Sequence, residues 1–485
     1  MALIVKDIRK RWPGNCLVYS WGTALTQAEK IKINEAMEDW KNTGNVRFVK
    51  RSNHDRYVKF EPDSDPLDGI CSSSELGMSG GQQFIHLDHD PSKRTLRHEI
   101  GHALGFYHEH KRRDRNSFID VKTDKIKPTH KYQFEKVGVG EALHPGNYDL
   151  DSVMHYGSAK KMSIDGNTAL ITTDDPDDSA RIGSPDISSS DAGAVASMEQ
   201  GTQHVYQLSG NGQIENMVQQ SGWSAGWTIA RPYTVGGHKF LMLLKTSNGR
   251  MRLNRINLDG TISENVQHKN WTSGWTHAVK YAVLGSNYMM LYKRGDGTVH
   301  VNKINGDGKI GEKIDEGTLE SGWSYAAAFG IGTSSFMLFS NLNGVVFVHE
   351  IEWDGKIGQR KHAQTFGNNY TVTQPYNVLG TTFLLMLKSS NGTGKIRRIN
   401  TDGRIGDVVQ TLNWTNGWTT AIPYHVGLDT YLLSLKESDG EFKINRIESD
   451  GKLGSIVDDR LLSPGWGTVA VYGVGLGTYV LLVKP

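Results

Sequence analysis

The segment His98-Glu99-Ile100-Gly101-His102-Ala103-Leu104-Gly105-Phe106-Tyr107-His108 holds three histidines and a glutamate at the spacing a catalytic zinc needs. His98 and His102 are one helical turn apart, so on a helix their imidazoles share a face. Glu99 falls on the adjoining turn, within reach of a water at the metal. Gly105 tolerates positive φ and can take the chain out of the helix, which lets His108 return as a third ligand. Three protein ligands leave a fourth position open, the mark of a catalytic rather than a structural zinc. At such a centre water ionises near neutral pH and a carbonyl is polarised, and Glu99 can take and return the proton. The spacing predicts one zinc on His98, His102 and His108, with Glu99 as the catalytic base.

The signal continues past the third histidine, through Glu109, Arg112, Asp114 and Arg115, and resumes at Ser152-Val153-Met154-His155-Tyr156. Together these resemble the astacin family of metzincin proteases. The first run matches the long signature HExxHxxGFxHExxRxDRD except at Asn116, and the second resembles its Met-turn. Tyr148-Asp149 also fits, and the resemblance covers roughly residues 8–199. It implies an α+β catalytic domain that hydrolyses peptide bonds. It implies further that Met154 forms an apolar floor beneath the metal. Tyr156 would be a further, displaceable zinc ligand that swings to donate to a developing oxyanion, a role suited to a phenol. His155 is read as structural. Glu109 would receive the mature N-terminus, and the distance from Ala2 to Arg11-Trp12-Pro13 suggests that loss of Met1 leaves Ala2 in that place.

The elements that must carry these residues are legible too. Ile31, Ile33, Ala36, Met37 and Trp40 fall at helical spacing within residues 27–43. Ser92 is a suitable N-cap for a helix running to Leu104. Gly80 to Leu87 reads as a strand entered through glycines, in the family an edge along which an extended substrate pairs. Residues 174–190, rich in Asp, Ser and Pro, read as a surface loop, followed by a short helix at 189–199 that closes the domain.

At 485 residues the chain expects two or three domains. A net charge of +2 gives no case for nucleic acid, and no apolar run approaches the ~20 residues of a membrane span. The first residues are too short an apolar run for a secretory signal, so extracellular action is an expectation from the resemblance alone. The two cysteines, Cys16 and Cys71, admit one disulfide or two thiols. Astacin domains usually carry two disulfides, and the partner expected for Cys71 before the zinc helix is missing, which hints at synthesis in a reducing compartment.

From residue 200 onward the chain repeats. Asn211-Gly212, Asp259-Gly260, Asp307-Gly308, Asp354-Gly355, Asp402-Gly403 and Asp450-Gly451 recur every 47–48 residues. An aromatic keeps step: Trp227, Trp275, Trp323, Tyr370, Trp418 and Trp466. Four strand-like segments per unit of this length predict an all-β six-bladed propeller over 200–485. The array opens with a strand at 203–208 that can complete the last blade and close the ring, with Thr478 to Val483 read as that blade's third strand. The pattern weakly resembles six-bladed propeller lectins. Trp227, Trp275, Trp323, Trp418 and Trp466 therefore have two readings, platforms for sugar rings or packing between blades.

The sequence predicts a multidomain, monomeric chain: a zinc endopeptidase at 1–199 acting on protein or peptide substrates, steered by a propeller that binds glycans or proteins. The alternative is a carbohydrate-binding toxin or adhesin whose protease is latent or self-processing.

Overall fold

The structure, a computed structural model, describes residues 2–44, 46–52, 54–63, 72–73, 75–143, 146–198 and 202–484. Cys71 and the expected domain boundary at 199–200 lie outside them. Cys16 is buried. The chain divides into two units, Met1–Gln200 and Gly201–Pro485.

The elements that carry the first unit are Cys16–Trp21 (β1), Gln27–Gly44 (α1), Arg47–Lys50 (β2), Tyr57–Pro62 (β3), Ser72–Ser73 (β4), Gln82–Leu87 (β5), Lys93–Leu104 (α2) and Ser189–Ser197 (α3). The strands form one sheet in the order β2-β1-β3-β5-β4. All neighbours are parallel except β4 on β5. β5 is thus not a bare edge: Ser72 and Ser73 pair with His86 and Ile85.

Ile33, Ala36, Met37 and Trp40 of α1 share a core with Leu96, Ile100, Ala103 and Leu104 of α2. Two indoles pin α2 by donating to its carbonyls, Trp40 to Arg97 O at 2.9 Å and Trp12 to Ala103 O at 2.8 Å. Residues 174–190 are not all loop. Pro176–Arg181 forms a short helix capped by the Asp175 side chain, with Pro176 in the first turn, where its missing N–H costs nothing.

The second unit is six four-stranded antiparallel sheets. In the first blade the strands are Ile229–Val235, His238–Leu244, Arg250–Ile256 and Ile262–Asn270. Four further blades follow in sequence. The sixth is composite, with Thr468–Val474 and Gly477–Val483 from the C-terminal end and Gln203–Leu208 and Ile214–Ser221 from the start of the unit. Gln203–Leu208 pairs antiparallel with the last strand from Gln203↔Val483 to Leu208↔Thr478. Gly477–Val483 is the second strand of this blade, not the third, and the start of the unit supplies two strands. The missed strand, Ile214–Ser221, bulges against its neighbour, which weakens its alternation.

Side-chain amides tie one blade to the next. Gln219 accepts from Ile262 N and donates to Ile262 O, and Gln267 does the same at Ile310, Gln364 at Ile405 and Gln410 at Leu453. Where the ring closes the pattern changes. Ile214 N donates to buried Asp458 at 2.8 Å, and Arg460 donates to Ile214 O while paired with Asp458 at 2.7 Å.

Candidate metal centre

Ser92 caps α2 by accepting from Thr95 N, and Gly105 ends the helix at φ +111°, a left-handed conformation open to glycine. A Cβ there would also come within 2.9 Å of Val5. The turn delivers His108 opposite the helix. His108 Nε2 lies 3.0 Å from His98 Nε2 and 2.9 Å from His102 Nε2. Among the described residues these three form the one cluster able to hold a metal ion.

Their tautomers follow from the backbone. His98 Nδ1 donates to Val153 O and His102 Nδ1 to Phe106 O, both at 2.8 Å, so each Nε2 presents a lone pair. Burial depresses His98 to about 3 and His102 to about 4, and holds His108 well below its usual value. The lone pairs of His98 and His102 therefore converge on His108 Nε2, and a cation bound there would be held by all three rings. Zinc–imidazole bonds of about 2.0–2.1 Å around a tetrahedral ion separate neighbouring nitrogens by about 3.4 Å. The observed spacing is within half an ångström of that, so the donor set fits zinc.

Glu99 is buried beside them on α2. Met154 is fully buried, and its sulfur occupies the place that a Cβ on Gly101 would need. The glycine between the two helix histidines is therefore the gap that admits the methionine. Two chains of contact hold the loop bearing Met154. Asp191 of α3 accepts from Ser152 Oγ at 2.7 Å and Val153 N at 3.0 Å, while Ser188 and Asp191 form a reciprocal cap. His155 Nδ1 donates to Tyr156 O, and its Nε2 accepts from the Tyr148 hydroxyl at 2.8 Å. Both ring nitrogens of His155 are thus engaged within the protein.

The Tyr156 ring lies between His108 and His110, with centroids 4.2 and 4.3 Å away. Its hydroxyl donates to Gln133 Oε1 at 2.7 Å. Burial raises the phenol above its usual pKa, so it stays a donor. Glu109 is fully buried. It accepts from Leu3 N at 3.1 Å and Asp149 N at 3.0 Å, and pairs with Arg112 at 3.3 Å. Burial pushes its carboxyl upward, against Arg112 and the amide donors. The group on Glu109 is thus the Leu3 amide, with Ala2 buried beside it.

Gln133 and Asp191 were not found by sequence reasoning. Gln133 stands alone in a polar stretch and offers no pattern. Asp191 has one visible signal, the Ser188-x-x-Asp191 capping box, which marks a helix start rather than a support for a metal site.

Trp227, Trp275, Trp323, Trp418 and Trp466 are not open platforms. Each is at most 2% exposed. Lysines cover four of the five rings, as Lys245 does over Trp227 at 4.8 Å and Lys484 over Trp466 at 4.6 Å. The glycines before them sit near φ +90°, turning the chain so that the indole enters between blades. Burial supports the packing reading.

A trihistidine centre with an adjacent carboxylate on the helix, over a mixed sheet, defines a zinc metallopeptidase domain. Residues 4–199 match the family model of the astacin peptidases, so this unit is an astacin-type domain, joined here to a six-bladed propeller. Similar proteins include Tolloid-like protein 1 of Homo sapiens, 34% identical over 170 residues, which are 34% of this chain and 16% of that protein. Zinc metalloproteinase nas-14 of Caenorhabditis elegans is 34% identical over 176 residues, 35% of this chain and 33% of that protein. Among solved structures, High choriolytic enzyme 1 (HCE-1), a hatching enzyme zinc-protease of Oryzias latipes, is 29% identical, with a TM-score of 0.33. The match covers 37% of this chain and 86% of that one. The chain spans less than half the length of the curated relatives it matches. No helix among the described residues is long and apolar enough to cross a membrane.

Proposed function

We propose that the chain is a zinc endopeptidase, with zinc held by His98, His102 and His108. The convergence of three imidazoles, two of them oriented by backbone carbonyls, carries this reading. When bound, zinc supplies Lewis acidity, polarising the scissile carbonyl and easing ionisation of water. Glu99 takes the proton from the attacking water and delivers it to the leaving amine. The Tyr156 hydroxyl leaves Gln133 to donate to the oxyanion that develops on the carbonyl. Met154 fills the space under the histidines and keeps water out from below. Metal content and quenched-peptide cleavage test the assignment. Glu99→Ala should keep one zinc per chain and lose cleavage by at least ~10³-fold, a loss of the size general acid–base catalysis supplies. Zinc retained with no cleavage in either protein would favour the adhesin alternative.

The propeller's part in this reading is targeting. One observation favours a sugar as the target. A pocket of about 240 Å³ is lined by Trp414, Trp418, Ser434, Lys443 and Asn445. Trp418 Nε1 and Ser434 Oγ are buried there without hydrogen-bond partners, which a ligand hydroxyl would supply. The other five blades carry Leu243, Leu291, Phe339, Met386 or Leu482 where this one has Ser434. Ser434→Leu should abolish glycan-array binding by the full chain while sparing proteolysis.

A further inference from the structure

The first strands of all six blades enclose a cavity of about 500 Å³. Its wall is mostly small or uncharged, with Ala278, Ala327, Thr371 and Ala470 typical. Two residues lining it are charged, Arg231 and Lys280, and both are cations. No carboxylate among the described residues lines the cavity.

The repeat shows that these charges are additions. Arg231 is the third residue of its strand, where the other five blades have Val279, Ala327, Gln374, Ile422 and Ala470. Lys280 is the fourth residue of its strand, where the others have Pro232, Ala328, Pro375, Pro423 and Val471. At each position five blades are neutral and build the same sheet, so the scaffold does not require either charge.

Neither cation is neutralised. Arg231 Nε donates to Ala278 O at 2.7 Å and Nη1 to Ala230 O at 2.9 Å. These bonds fix the guanidinium across two blades and leave Nη2 with no protein partner among the described residues. The Lys280 ammonium has neither a hydrogen bond nor an ion pair among the described residues. Lys239, on the second strand of the first blade, acts on Lys280 and adds a third positive charge. Burial disfavours the charged form of all three, and no carboxylate opposes it. A sequestered cation without a counter-ion is costly. Tyr325 and Gln374 also line the cavity, the Tyr325 hydroxyl donating to the Gln374 amide oxygen.

We infer that this cavity is a binding site for a small molecule bearing an oxyanion, seated against Arg231 and Lys280. A fixed guanidinium edge suits two oxygens of one carboxylate, sulfate or phosphate group, and the lysine adds a point charge. The volume falls in the range of ligand sites rather than of single-ion sites. Tyr325 and Gln374 are placed for neutral hydroxyls on the rest of the ligand. The site is independent of the protease reading and of the pocket at Ser434.

Calorimetric titration of the full chain tests this, with glucuronate, glucose 6-phosphate, inorganic phosphate and glucose as probes at constant ionic strength set by chloride. At least one anionic sugar should bind at one site per chain, and glucose should not. A preference between the two distinguishes a carboxylate site from a phosphate site. Arg231→Gln should abolish the binding, and Lys280→Gln should weaken it at least tenfold. Lys280 has no partner to lose and its charge is disfavoured where it stands, so its variant should melt no lower than the wild type and remains informative if Arg231→Gln misfolds. Binding that survives Lys280→Gln unchanged would overturn the assignment. So would the absence of binding by every probe, or glucose binding as well as the anions. Inorganic phosphate binding as tightly as either sugar would refute a ligand larger than the bare ion.

Discussion

In the proposed mechanism, the one hydrogen bond that Tyr156 makes to Gln133 sets a catalytic balance. The Tyr156 ring is fixed by the imidazoles of His108 and His110, but its hydroxyl is committed to Gln133. If the hydroxyl is needed in the transition state, the Gln133 bond favours the ground state and must be broken first. Gln133→Ala should therefore raise kcat by about 2–10-fold, the worth of one ordinary hydrogen bond. Gln133→Glu, a stronger acceptor, should lower it. Tyr156→Phe should cost about 10²-fold in kcat with little change in KM. Steady-state kinetics on the three variants checks the ordering. A second residue-scale consequence lies in the propeller. Burial depresses His277 to about 4, with Arg231 and Arg294 also disfavouring its charge. Unfolded, it protonates near 6.5. Its contribution is complete above pH 6.5 and is lost as pH falls toward 4, by up to about 3 kcal/mol. The propeller melting temperature should drop across that window, and His277→Gln should flatten the drop.

At the scale of elements, the metal site depends on a gap in α2. Gly101 faces Met154, and a Cβ there would also come within 3.3 Å of Trp40. Alanine would gain about 1 kcal/mol of helix propensity. Overpacking in a filled core costs about 1–3 kcal/mol. Gly101→Ala should lower the melting temperature of the first unit and displace Met154, with zinc affinity and cleavage falling together; a more stable, fully active variant would show that Met154 can yield. Much of α2 was legible because its signals are local: Ser92, the paired histidines and Gly105 act within one helix. The ring was legible because a repeat states its geometry six times. Gln133 and Asp191 were not, because each acts across more than 20 residues of chain on a partner no spacing rule connects. The tryptophans kept two readings in the sequence for a related reason. Sequence shows that an aromatic recurs, but only the turn at the preceding glycine shows which way it faces.

At the scale of the whole propeller, the weak point should be the seam. Within the ring, each pair of consecutive blades is joined by a covalent connection, and at four junctions a glutamine amide on the next blade's backbone is added. The sixth blade is instead assembled from both ends of the unit, held by the pairing of Gln203–Leu208 with Gly477–Val483. The fifth blade runs directly into Thr468–Val474 of the sixth, but the two strands from the start of the unit meet that junction with no direct covalent link to it, and an ion pair stands there. Asp458 accepts from Ile214 N, Arg460 donates to Ile214 O, and both side chains are nearly inaccessible to water. Removing one member of a buried pair strands the other, at about 3–5 kcal/mol. Losing a glutamine bridge leaves two backbone groups unmet, at about 1–3 kcal/mol. Asp458→Ala should therefore destabilise the propeller more than Gln267→Ala, and Asp458→Ala with Arg460→Leu should recover part of the loss. Denaturant unfolding of the full chain, followed by the fluorescence of the propeller's buried tryptophans, checks this order. If Gln267→Ala proved as costly as Asp458→Ala, the seam would be no different from the other junctions, and the break in the chain within the sixth blade would add no weakness of its own.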